Sequence, residues 1–220
     1  MEPQDRDAAF PEADVAFDRE ALALAAGAAG VESHWNVAVV RSRCERLAVA
    51  QIRRLGLEAF VPTQTETRQW SDRRKRVERV ITPSMVFFNA AQELFVPSPS
   101  GGALRRPAAD LERGLRSLQL EVCRTCYVYR LLSMPHERRP ADIPDAQIRR
   151  FLYMVGLSDE RVDIVPELAV GDAVRVVRGP LRGLEGSVSA VRDGRAELGI
   201  RVGPLGYAVT GIPAADVEPL

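Results

Sequence analysis

The side chains in this 220-residue chain that could do chemistry are few: three cysteines, Cys44, Cys123 and Cys126, and two histidines, His34 and His136. Cys123-Arg-Thr-Cys126 has the C-x-x-C spacing of half a zinc site or of a dithiol pair. A tetrahedral zinc site needs two more Cys or His ligands at related spacing, and the histidines sit in no paired arrangement. A redox pair should open a helix after a strand, whereas Cys126-Tyr-Val-Tyr129 reads as strand. The two thiols are therefore expected to be structural, on or near a strand. An odd cysteine count argues against a disulfide framework and fits a reducing compartment. The chain carries no G-x-x-x-x-G-K-[ST], no G-x-S-x-G and no H-E-x-x-H, and neither histidine has a matched nucleophile or carboxylate. Neither catalysis nor a metal or cofactor is expected; binding is.

Charge suggests what is bound. The formal net charge is zero, but residues 1–33 hold eight acidic and two basic side chains, residues 34–166 fifteen and twenty-two, and residues 167–220 seven and six. A basic middle region beside acidic and neutral parts suits a polyanionic partner such as nucleic acid. Charge alone leaves open the other reading, an arginine-rich surface that is simply solvated; Lys75 is the single lysine. No apolar run reaches the roughly 18 residues of a membrane span. The stretch Ala21 to Val31 is too short, and the residues before it are acidic where a signal peptide is basic. A cytoplasmic location without membrane contact is expected.

Three parts must position these groups. Residues 1–33, acidic and Ala-rich, are expected to be disordered or weakly helical. In residues 34–157, Trp35, Val37 and Val39 alternate with Asn36, Ala38 and Val40 as a buried strand, and Cys44 to Leu55 has helical periodicity ending at Gly56. Leu57 to Pro62 reads as a second strand, Thr63 to Arg79 as a polar and basic excursion, and Val80 to Phe88 as a third strand interrupted by Pro83. Pro107 to Leu118 predicts a helix, Cys123 to Leu132 a strand, and Pro144 to Val155 a helix with Ile148, Phe151, Leu152 and Val155 on one face. The order β-α-β-β-α-β predicts an α+β fold of the ferredoxin-like, split β-α-β type.

Residues 158–166, with Asp159-Glu160-Arg161 and Pro166, read as an exposed linker. Residues 167–220 carry Val174 and Val176 in strand alternation, a turn at Arg178-Gly179-Pro180, a bend held by Gly183 and Gly186, and a hairpin at Asp193-Gly194. Strands at Ser187 to Val191, Ala196 to Val202 and Tyr207 to Ile212 complete the pattern of a small SH3-like barrel of five short strands.

The run Gly171, Asp172, Val174, Val176, Gly179, Pro180, Gly183, Gly186 and Val188 resembles the KOW motif of ribosomal proteins and of NusG-family transcription elongation factors. Upstream, His34-Trp35-Asn36-Val37, Cys44-Glu45-Arg46, Leu57-Glu58-Ala59-Phe60-Val61-Pro62 and Arg68 to Lys75 resemble the N-terminal (NGN) domain of NusG-type factors. They are most similar to the specialised paralogues called UpxY, found with capsular polysaccharide operons. Arg139-Pro140-Ala141-Asp142-Ile143-Pro144-Asp145 resembles that family's lead-in to its last helix. The likeness spans about residues 34–220. It lapses at Pro83-Ser84-Met85, where the family carries P-G-Y, at Trp35-Asn36, where it carries W-Y, and over Ala90 to Leu120, which match no family pattern.

The resemblance implies a transcription elongation or antitermination factor. Its NGN domain would grip the clamp coiled coil of RNA polymerase through an apolar depression and suppress pausing or termination. Val37, Val39, Phe60, Met85 and Phe87 are the candidate lining residues, with burial in the core as the competing reading for each. Arg41 and Arg43 follow the first strand, where the family places basic residues near the non-template DNA of the transcription bubble, and Arg54 lies on the helix that follows. Arg73 and Arg74, beside Trp70, would also meet nucleic acid, against the reading of a solvated hairpin tip. Gly171, Asp172, Val174, Gly179, Pro180, Gly183 and Gly186 would shape a KOW barrel that recruits a ribosomal protein or a termination factor. A ribosome- or RNA-binding KOW protein that does not act on polymerase is the alternative.

Overall fold

A strand that is apolar on both faces must be covered twice, and this dictates how β1 (His34–Val40) sits. Its alternation sends Trp35 and Val37 to one side and Ala38 and Val40 to the other, all of them buried. Ala38 and Val40 meet α1 (Glu45–Arg54) through Ala48, Val49 and Ile52, and α2 (Ala108–Cys123) through Leu118 and Val122. Trp35 and Val37 meet α3 (Asp145–Leu157) through Ile148, Phe151 and Met154. In this computed structural model the described residues are 34–69, 74–89, 95–97, 103–105, 108–134, 139–168 and 171–220.

The first sheet also contains β2 (Glu58–Phe60), β5 (Met85–Asn89) and β8 (Val128–Leu131), in the order β2-β5-β1-β8 and antiparallel throughout. The two-residue β9 (Ile143–Pro144) pairs with the start of β1. This is the predicted split β-α-β order. Helix α1 stops where expected, at Gly56 with φ of 81°, whose amide donates to the Arg53 carbonyl at 2.9 Å. The basic excursion is a hairpin of β3 (Thr63–Gln69) and β4 (Arg74–Val80), in register from Thr63↔Val80 to Gln69↔Arg74. Where no element was predicted, β6 (Phe95–Pro97) pairs with β7 (Ala103–Arg105).

Two expectations are corrected here. Helix α2 runs past Leu118 to Cys123, so the C-x-x-C pair lies at a helix end and in the turn after it, with both thiols exposed, and not on a strand. Second, part of the expected linker is β10 (Asp163–Val165), which pairs with Tyr207–Val209. Its β-branched sequence follows Val162, which is fully buried, and such residues favour a ladder over an exposed coil.

The second unit is a six-stranded antiparallel sheet. Its order is β10, β14 (Tyr207–Pro213), β13 (Arg195–Arg201), β12 (Glu185–Arg192), β11 (Ala173–Val176) and β15 (Val217–Pro219). Asp193 and Gly194, with φ of 51° and 74°, close the β12–β13 hairpin with two left-handed residues as Asp-Gly predicts.

One apolar cluster runs through both units, from Phe87 and Phe151 to Val174, Leu198 and Val202. Polar ties reinforce it. The Tyr153 hydroxyl donates to the Arg182 carbonyl at 2.9 Å, and the Gly203 amide donates to Gln147 Oε1 at 2.8 Å. Among the described residues no helix is long and apolar enough to cross a membrane.

Candidate functional site

The apolar depression expected on the first sheet is closed. Val37 and Phe87 are fully buried and Phe60 is 4% exposed. The Phe60 and Phe87 rings stack at 5.1 Å, Phe87 meets Phe151 of α3 at 6.0 Å, and Trp35 packs edge-on against Phe60 at 5.3 Å. The indole of Trp35 donates to Asp145 Oδ1 at 2.9 Å, pinning the start of α3 over this face. Val37, Phe60 and Phe87 are therefore core residues, because burial of so much aromatic area outweighs leaving it open for a partner. Val39 and Met85 differ. They stand opposite each other across β1 and β5 and both are half-buried, with Met85 packed against the margin of the core.

That open end carries the charge. Arg41 and Arg43 lie in the turn between β1 and α1, exposed, with Arg43 held at φ of 63°. The Arg41 amide donates to the Tyr127 carbonyl at 2.9 Å, bringing this turn against the one that joins α2 to β8 and contains Arg124. Arg130, exposed on β8, stands opposite Val39. Glu45 is buried and its carboxylate accepts from the Ser84 amide at 2.8 Å, so it braces the turns. Among the described residues no ion pair reaches Arg41, Arg43, Arg124 or Arg130. Arg54 is not part of this group: it sits in the last turn of α1, roughly 15 Å along the helix axis from its start. Arg74 pairs in register with Gln69 on the hairpin, and Arg73 lies outside the described residues.

Sequence reasoning missed Arg124, Arg130 and Tyr129. Strand alternation puts Tyr127 and Tyr129 on one side, yet Tyr127 packs against the core while Tyr129 is 70% exposed. A bulge explains it. Val39 and Val40 are adjacent on β1 but oppose Arg130 and Val128, leaving Tyr129 as the extra residue. Nothing in the local sequence signals an inserted residue.

The remaining candidates divide by chemistry. Among the described residues no cluster of three or more His, Cys, Asp or Glu could hold a metal. Partial burial pushes the Cys123 thiol above its ordinary value, against a smaller opposing effect of the Leu131 backbone amide. In the second unit, Val174 is buried opposite Gly186, and the exposed Asp172 accepts the Val188 amide at 3.0 Å through its carbonyl. Gly179 and Gly183, at φ of 78° and 88°, make the turn around the exposed Pro180. Gly171 serves close approach, since a Cβ there would fall 1.5 Å from the Val188 carbonyl oxygen.

The chain is thus a split β-α-β domain with a cationic sheet end, packed on an antiparallel six-stranded unit. The family model described as "Transcription termination factor nusG" matches residues 33–152, more than half of the chain, and the chain belongs to this family. Membership supports a role in transcription elongation. No curated protein matches. Among solved structures, the crystal structures of the MjSpt4:Spt5 complex in conformations A and B are similar at 10% identity. Each covers 84% of this chain, and 97% and 96% of the matched chains are covered, with TM-scores of 0.21 and 0.22. Likeness at that level carries no argument about partner or mechanism.

Proposed function

We propose that this protein is a transcription elongation and antitermination factor that binds RNA polymerase through residues 34–157 and suppresses pausing or termination. It is a binding factor and not an enzyme, and it works in the cytoplasm. The observation that supports this most is the family match over the unit whose sheet end gathers Arg41 and Arg43 beside the half-open Val39–Met85 pair. In this reading Val39 and Met85 offer the apolar contact to the polymerase clamp, and the arginines meet the non-template DNA strand by sequence-independent, salt-sensitive attraction. Residues 167–220 act as a KOW SH3-like barrel that recruits a further partner, a ribosomal protein or a termination factor. The resemblance to UpxY factors, which are found with capsular polysaccharide operons, supports a specialised paralogue and leaves its target operon open.

The test is retention on reconstituted elongation complexes together with run-through transcription on the neighbouring operon. Arg41→Glu with Arg43→Glu is expected to lower retention about tenfold at moderate salt, since each phosphate contact adds to the salt-dependent affinity. Retention unchanged by the double reversal removes the DNA role. Co-sedimentation with ribosomes and none with core polymerase replaces the whole reading with that of a ribosome-associated KOW protein.

A further inference from the structure

We propose that the acidic segment 1–33 docks on the arginine end of the first sheet of its own chain and closes that end to other polyanions. The docking stands on charge and tether alone; the competition it implies rests on the nucleic-acid reading of Arg41 and Arg43.

The surface lacks counter-charges of its own. Arg41, Arg43, Arg124 and Arg130 are exposed on two abutting turns and the adjoining edge strand β8. Arg130 reaches a backbone carbonyl, that of Leu131 at 3.4 Å. Several arginines elsewhere already hold carboxylates: Arg46 with Glu78, Arg79 with Glu66 and Asp163, Arg195 with Glu160, and Arg150 and Arg175 with Glu185. At the sheet end stand only Glu121, exposed on the last turn of α2, and Glu45, buried with its carboxylate taken by the Ser84 amide. Such a cluster repels itself until an anion joins it. Beside the cations lie apolar groups left partly in water, Tyr129 at 70% exposure and the half-buried Val39 that opposes Arg130.

The chain carries an occupant that matches both parts. Residues 1–33 hold eight acidic and two basic side chains, and Glu12, Asp14, Asp18 and Glu20 alternate with Val15, Phe17 and Leu22. A phosphate backbone would answer the arginines alone, whereas this segment also brings apolar side chains to Tyr129 and Val39. The tether is long enough. The segment joins β1 at His34, and Arg41 lies past the far end of that seven-residue strand, roughly 25 Å away. Sixteen residues separate Asp18 from His34, which span about 24 Å as a helix and about 50 Å extended. A tethered group acts at an effective concentration on the order of 1 mM, so even a weak contact is populated without a partner molecule.

The test uses the full-length chain and a variant neutralised only in the segment, Glu12→Gln, Asp14→Asn, Asp18→Asn and Glu20→Gln. Neutralisation should shift the backbone amide resonances of Arg41 to Arg43 and Arg124 to Arg130, and added salt should move the same amides of the unmodified chain in the same direction. It should also tighten binding of a fluorescent oligo(dT) about tenfold, by removing the tethered competitor. Arg124→Glu with Arg130→Glu should release the segment and abolish the response of these amides to neutralisation. Amides of the sheet end that ignore neutralisation overturn the docking, as do shifts confined to the β3–β4 hairpin or shifts that grow with protein concentration, which mean docking on a second copy. Shifted amides in a chain that binds no oligo(dT) with or without neutralisation keep the docking and remove the nucleic-acid reading. Shifted amides with equal oligo(dT) affinity in the two chains overturn the competition.

Discussion

At the scale of single residues, the most misleading feature of the sequence is the C-x-x-C pair. Its cysteines lie at the end of α2 and in the following turn, exposed, and Cys123 is held toward the thiol form by partial desolvation. Because the folded chain raises this pKa, the thiolate develops at higher pH than in the unfolded peptide. Iodoacetamide labelling of Cys123, followed site by site by mass spectrometry, should therefore show its pH midpoint above that of the same residue in a tryptic peptide. A midpoint at or below the peptide's contradicts the assignment. The glycines of the second unit were easier to read. The turn role of Gly179 follows from its neighbour Pro180, whereas the close approach of Gly171 to Val188 depends on a partner strand that local sequence does not name.

At the scale of elements, periodicity was sufficient wherever one face of an element was apolar. It located β1, α1 and α3, and the strand order followed from the β-α-β-β-α-β succession. It was insufficient for β8, where a bulge breaks the alternation, and for the face of β1 that pairs Val37 with Phe87. There, local sequence gives the same apolar pattern to a core and to a docking patch, and only the position of α3 decides. The segment after α3 is hidden from local sequence for a similar reason: its anchor is remote. Gln64 of β3, buried, donates through Nε2 to the Glu160 carbonyl at 2.7 Å and accepts the Val162 amide through Oε1 at 2.9 Å. Gln64→Leu leaves the Val162 amide without its partner, while the Glu160 carbonyl keeps the Ser158 hydroxyl, and should cost about 1–3 kcal/mol, read as a lower urea midpoint at unchanged slope. A change within a few tenths of a kcal/mol would show that the tie carries no weight.

At the scale of the whole molecule, the shared core argues that the two units unfold together. Phe151 is fully buried between the aromatic stack of the first sheet and the apolar residues of the second unit. Phe151→Ala should destabilise by about 3–5 kcal/mol, and amide exchange should accelerate in β1 and β13 alike. Faster exchange in β1 alone would mean that the second unit folds independently. Acid should act on an exposed ion pair of the second unit instead. Arg175, with help from Arg150 of α3, holds the Glu185 carboxyl below its ordinary value. That contribution is present at neutral pH and is lost as the carboxylate takes up a proton. The strand β10 has a practical consequence of another kind. A fragment cut to begin at residue 167 would strip Tyr207–Val209 of its neighbour and leave a bare row of amides and carbonyls. Such a margin recruits strands from other molecules, so the excised half should clump more readily than the intact chain.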